Sequence, residues 1–110
     1  MKKPAMELLP GTLDLLILKA LQRGALHGYA IMQAIKLRSD DVLQVGESSL
    51  YPALQRLLVN GWVKAEWGAS ENNRRARYYT LTSAGRKQLS SERADLERMM
   101  TAIRKVLQTA

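Results

Sequence analysis

The chain has 110 residues, 46% of them hydrophobic, which is enough for one packed core and too few for two independent ones. Seventeen Lys and Arg against ten Asp and Glu leave a formal charge of +7, and a pI near 10.1 favours a polyanionic partner, nucleic acid first, over a pocket for a small acidic substrate. With no cysteine there is no disulfide framework, no thiolate metal site and no thiol-based redox sensing, so the fold stands on packing alone.

Lys2 and Lys3 precede an apolar stretch, but Asp14 and Lys19 interrupt it and no small-residue cleavage pattern follows, so no secretory signal is expected. No apolar run approaches membrane-spanning length; a cytoplasmic protein with no membrane partner is the expectation. Leu9, Leu13, Leu16, Ile17, Ala20 and Leu21 recur at helical spacing, and Leu15 and Leu18 widen the stripe until this first helix must be covered on more than one side. Thr12, after Pro10 and Gly11, is its expected N-cap, with Asp14 in the first turn and Gly24 at the close. Gly28 opens a second helix of about three turns. In it Ile31, Ala34, Ile35 and Arg38 share related faces, and it ends at the turn residues Ser39, Asp40 and Asp41. Residues 42–45 are a brief apolar stretch expected to pair as a single strand.

Gly46, Glu47, Ser48 and Ser49 mark a third helix start. Leu50, Leu54, Leu57 and Leu58 follow the i, i+4, i+7, i+8 rule, and Asn60-Gly61 supplies the stop. Pro52 has two readings: in the first turn at no cost if the helix begins at Ser49, or removing one hydrogen bond and introducing a kink if it begins near Gly46. After Gly61 the period changes to two. Val63, Ala65 and Trp67 alternate with Trp62, Lys64 and Glu66, then Arg77, Tyr79 and Leu81 alternate with Tyr78, Thr80 and Thr82, and the polar residues 68–73 form a hairpin tip between them. Thr82 and Ser83 can cap a last helix running nearly to the end, in which Leu89, Leu96, Ile103 and Ala110 are spaced by seven and Met99, Met100, Val106 and Leu107 fill the intervening apolar positions. So long a helix outruns what a domain of this size can cover, and its stripe needs a partner.

Three helices followed by a hairpin and a long helix describe a mainly α, α+β fold: a winged helix-turn-helix with a two-stranded wing. One compact unit results, with residues 1–82 as the winged-helix DNA-binding part and residues 83–110 as a C-terminal dimerisation helix. On a wheel at about 100° per residue, the leucines of the third helix gather on one side. Ser48, Pro52, Gln55, Arg56 and Val59 lie on the other, with Tyr51 at the edge. A helix that buries one face and offers hydroxyl, amide, guanidinium and phenol groups on the opposite one meets the needs of major-groove readout. Arg56 suits guanine or phosphate, and Gln55 suits adenine. Arg74, Arg75 and Arg77 cluster at the hairpin tip, where arginines reach the phosphate backbone or a narrow minor groove. The start of the second helix, His27-Gly28-Tyr29, can aim backbone amides and a phenol at a phosphate. His27 is the only histidine, and such a residue beside a glycine is more often a cap than a catalyst. At least half of Trp62, Trp67, Tyr78 and Tyr79 belong to the core, as aromatic residues on strands usually do.

The order and spacing of Leu15-Leu16-Ile17-Leu18-Lys19-Ala20-Leu21, His27-Gly28-Tyr29, Ser49-Leu50-Tyr51-Pro52-Ala53-Leu54, Tyr78-Tyr79-Thr80-Leu81-Thr82 and Ala84-Gly85-Arg86 resemble the PadR family of transcriptional regulators, from Leu8 to Arg86. The resemblance implies a homodimer that binds double-stranded operator DNA, usually to repress, with a C-terminal helix exchanged between subunits. It is similar to the short form of the family, which has one such helix. Tyr29, Ser49, Tyr51, Pro52 and Gln55 are then at the DNA surface, with the wing arginines beside them. In some members a small-molecule effector at the dimer interface releases DNA. Relatives that hold flat aromatic drugs use a tryptophan on the last helix, whereas this sequence has no aromatic residue after Tyr79 and offers Met99 and Met100.

The expected function is therefore a dimeric, sequence-specific DNA-binding regulator without cofactor or metal. Its DNA-binding residues are Tyr29, Ser48, Ser49, Tyr51, Pro52, Gln55, Arg56, Arg74, Arg75 and Arg77. Leu89, Leu96, Met99, Met100, Ile103, Val106 and Leu107 form the dimer seam. A winged-helix scaffold whose last helix pairs with a different protein, without DNA binding, is the alternative. An enzyme is not expected, since no paired carboxylates, nucleophile with base, metal cluster or phosphate loop occurs at a useful spacing.

Overall fold

The computed structural model describes Leu8 and residues 11–110; Lys2, Lys3, Leu9 and Pro10 lie outside the described residues. In chain order the elements are α1 (Thr12–Ala20), β1 (Leu26–His27), α2 (Gly28–Arg38), α3 (Glu47–Val59), β2 (Val63–Ala69), β3 (Arg75–Leu81) and α4 (Ser83–Gln108). The strands form one antiparallel sheet in the order β1-β3-β2, and the arrangement is the winged helix expected from the sequence. Its core lies where α1 meets α2, α3, α4 and the sheet. Ile17 and Leu18 are fully buried there with Leu21, Ile31, Leu50, Leu54 and Leu57, which explains an α1 stripe too wide for one contact face.

Four local details differ from expectation. Gly11, not Thr12, holds the N-cap of α1, because the chain enters in a left-handed conformation (φ 87°) that glycine adopts without a Cβ penalty. The helix closes at Leu21, whose N–H donates to the Ile17 carbonyl, three residues before Gly24. Residues 42–45 are not a strand; Leu43 alone makes a bridge. The first two of their donors are used in the turn that ends α2: Leu43 N–H bonds Ser39 Oγ at 3.0 Å and Val42 N–H bonds the Ser39 carbonyl at 3.0 Å, while Asp40 and Asp41 take positive φ. The third strand is instead Leu26–His27, paired with Tyr79 and Tyr78.

Pro52 follows its second reading as far as hydrogen bonding goes. The cap of α3 is Gly46, so Pro52 is the sixth helical residue and has no N–H for the Ser48 carbonyl. The hairpin is longer than expected, with pairing from Val63↔Leu81 to Ala69↔Arg75 and a turn closed by Ser70 N–H to the Arg74 carbonyl (2.7 Å). Of the three wing arginines only Arg74 therefore sits in the tip. Arg75 and Arg77 belong to β3, on the same face of the sheet as Trp67 and Tyr79.

Thr82 caps α4 as expected. Its Oγ1 accepts the Gly85 N–H at 3.0 Å and donates to the Gly61 carbonyl at 2.7 Å, tying the helix start to the end of α3. Gly85 is buried against the Trp62 backbone carbonyl with no space for a Cβ, so the Gly85→Ala variant should lose about 3 kcal/mol of stability. Calorimetry should then show Tm lower by roughly 12 °C or more; a change of only a few degrees would mean that the contact relaxes freely.

Leu89, assigned from its spacing to the seam between subunits, belongs to the core of its own chain at 5% exposure, because the first turns of α4 still lie over the body. Leu96 packs half-buried against the same core. Beyond it Met99, Met100, Ile103, Val106 and Leu107 are all exposed. The 26 residues of α4 span about 39 Å. They give the molecule extents of 57 × 39 × 22 Å and a radius of gyration of 15.5 Å, against about 13 Å for a compact chain of this length. No described helix is long and apolar enough to cross a membrane.

Candidate nucleic-acid interface

Helix α3 buries Leu50, Ala53, Leu54 and Leu57, leaves Leu58 half-buried, and exposes Ser48, Pro52, Gln55, Arg56 and Val59 as expected from the wheel, together with Ser49 and Tyr51. It forms a ridge between two hollows. On the side of α2 and the hairpin runs a groove of about 1050 Å³, lined by Tyr29, Tyr51, Trp67 and the wing arginines among others. On the side of α1 lies a hollow of about 630 Å³, lined by Ser48, Ser49, Pro52 and Arg56 with Gly11, Leu13 and residues 44–46. Gln55 and Val59 lie on the crest between them.

In the larger groove four arginines, Arg38, Arg74, Arg75 and Arg77, face one carboxylate, Glu71, so the wall is strongly positive. Two of the arginines are held by aromatic rings. The Arg75 guanidinium lies 4.5 Å from the centre of the Trp67 ring, and that of Arg77 lies 5.9 Å from the centre of Tyr79. Trp67 is thus largely exposed as an arginine platform, while Tyr79 belongs to the core. Tyr29 stands exposed in the first turn of α2. Behind it His27 serves as the cap of the helix, Nδ1 accepting the Ala30 N–H at 3.2 Å. The ring also meets Tyr78 edge-on at 5.4 Å, joining the helix start to β3.

Tyr51 leans from α3 over Gly28. A Cβ on Gly28 would come within 2.9 Å of the Tyr51 hydroxyl, so glycine is what permits this ring position. Burial pushes the Tyr51 phenol above its ordinary value, with Glu47 and Tyr79 adding to it, so the hydroxyl remains a hydrogen-bond donor throughout the neutral range.

Arg56 leans to the other side, toward α1. Its Nη2 donates to Asp14 Oδ1 at 2.8 Å and its Nε to Oδ2 at 3.4 Å, a side-on pair between helices 42 residues apart in sequence. These bonds raise the Arg56 guanidinium further above neutrality, first through hydrogen bonding and then through charge. Arg56, expected from the sequence to meet guanine or phosphate, already has an anionic partner in its own chain.

The family model described as the transcriptional regulator PadR-like family matches residues 17–91. The chain belongs to this PadR-like family. An uncharacterized protein of Lysinibacillus sphaericus is 32% identical over 84 residues, which make up 76% of this chain and 77% of that one. Among solved structures, a transcriptional regulator from Clostridium thermocellum superposes with a TM-score of 0.79 at 33% identity, over 86% of this chain and 92% of the other. A PadR family transcriptional regulator from Eggerthella lenta superposes with a TM-score of 0.77 at 28% identity, over 91% and 85% of the two chains. The PadR-like match runs from α1 into the first turns of α4 and stops before the exposed apolar stripe. Asp14 lies three residues ahead of the match. Asp14, Arg38 and the role of Trp67 as a platform were absent from the expected site. Arg38 had one legible signal, a cation ending an amphipathic helix; the other two depend on contacts between elements.

Proposed function

We propose that this PadR-like chain is a sequence-specific DNA-binding regulator, acting as a homodimer that represses at a pseudo-palindromic operator. One observation carries the reading: the polar ridge of α3 stands open between two hollows, one of them walled by the wing arginines. Ser48, Ser49, Pro52 and Gln55 enter the major groove, Gln55 from the crest, where an amide can bond adenine. Tyr29, Tyr51, Arg74, Arg75 and Arg77 meet the sugar-phosphate backbone and the adjacent minor groove. Arg56 contacts a phosphate from the α1 flank.

Helix α4 divides by role under this reading. Its first turns complete the winged body, and the stripe of Leu96, Met99, Met100, Ile103, Val106 and Leu107 is covered by the same stripe of a second copy. Two α3 ridges then reach successive major grooves about one helical turn apart.

The test is binding to the duplex immediately upstream of the chain's own coding region, followed by fluorescence anisotropy at increasing salt, together with mass in solution. With several phosphate contacts per subunit, affinity should fall about 10³-fold or more between low and moderate salt. An affinity indifferent to salt contradicts the reading. A monomer that ignores duplex DNA would replace it with a scaffold whose last helix pairs with another protein.

A further inference from the structure

The ion pair between α1 and α3 is unequal in exposure. The Arg56 side chain is 56% exposed and that of Asp14 only 19%, so the carboxylate lies behind and the guanidinium in front, on the flank of the α3 ridge. The pair engages Nε and one hydrogen of Nη2, leaving both hydrogens of Nη1 and the second of Nη2 directed elsewhere. An arginine on a surface ordinarily sweeps a wide arc and can follow any phosphate within reach. One backed by a bidentate carboxylate keeps its plane and presents a fixed edge.

We propose that Asp14 is a specificity-determining positioning residue, which pins Arg56 so that its free edge meets a phosphate only when α3 is seated at the depth and register of the operator. The inference rests on the DNA-binding reading and deepens it. On unrelated sequence the duplex sits in many registers, and a pinned guanidinium misses most phosphates. The carboxylate behind it also offsets its charge, so this flank adds little to sequence-independent attraction. On the operator the same guanidinium is already placed, and less side-chain freedom is lost on contact. Asp14 therefore touches no DNA and acts through Arg56.

The experiment uses the full chain, a duplex selected by the wild-type protein from a random-sequence library, and a shuffled duplex of equal length. Asp14→Asn should bind the shuffled duplex more tightly and the selected one no better, lowering the ratio of the two affinities about tenfold. The slope of log affinity against log salt on the shuffled duplex should steepen by about 0.9 for each arginine released. Arg56→Lys, which leaves α1 intact and keeps the charge without the side-on geometry, should lower the ratio similarly. In an Arg56→Ala background, Asp14→Asn should no longer change the ratio.

If Asp14 only docks α1 on α3, Asp14→Asn will lower Tm and weaken both duplexes equally, and the proposal fails. It fails too if the ratio is unchanged, or if Asp14→Asn shifts it equally with and without Arg56. A wild-type protein that selects no sequence removes the regulator reading itself, and this proposal with it.

Discussion

Glutamate in place of both Ile103 and Val106 should convert the protein to a monomer and weaken its binding to a two-site operator by about 10²- to 10⁴-fold. Val106 is 71% exposed and Ile103 49%, and both lie on the part of α4 that extends past the core of its own chain. Their loss therefore takes little from the fold of the subunit, and glutamate is a good helix former. In a paired stripe, the same substitutions place carboxylates opposite each other in an apolar seam, where neither can be solvated or matched. The cost to DNA binding follows from geometry: once one α3 ridge is seated, a tethered partner seats its own at a high effective concentration, and a monomer has no such second step. Mass in solution, circular dichroism and anisotropy on the same samples check the three parts. A variant that stays dimeric would place the subunit contact elsewhere.

Replacing Arg74 and Arg75 with alanine should weaken binding to all sequences alike, by about a hundredfold or more at moderate salt. With two arginines removed from each subunit of the proposed dimer, four proposed phosphate contacts would be lost, so the slope of log affinity against log salt should flatten by about 3 to 4. Arg75 should be the stronger member, because the Trp67 ring already holds its guanidinium in place. Gln55→Ala is the contrasting variant. Gln55 stands on the crest of α3 and makes no charge contribution, so its removal should act on the preferred sequence and leave the salt slope alone. If the two variants behave identically, the separation of positioning from reading residues is wrong.

What the sequence determined by itself was the side of each long helix that is apolar, the place of the hairpin and the cap of α4, while weaker local signals such as Thr12, Gly24 and residues 42–45 misled. The leucines of α3 lie on one side of a helix whatever it packs against, so its polar face, from Ser48 to Val59, could be named in advance. The change to a period of two after Gly61 marked the hairpin, and Thr82 had the hydroxyl to cap α4. Tertiary structure decided the features that depend on where separate elements meet. The two residues of β1 have no strand signal of their own and are a strand only because β3 lies alongside. Pro52 became an internal helix residue because α3 begins at Glu47. Arg56 found Asp14 because α1 crosses the flank of α3, a pairing 42 residues apart that no periodicity reports. Leu89 and Ile103 occupy equivalent heptad positions, yet one is buried at home and the other exposed. The repeat specifies which side of a helix is apolar, whereas the distance the body reaches along that helix is set by how all the other elements pack.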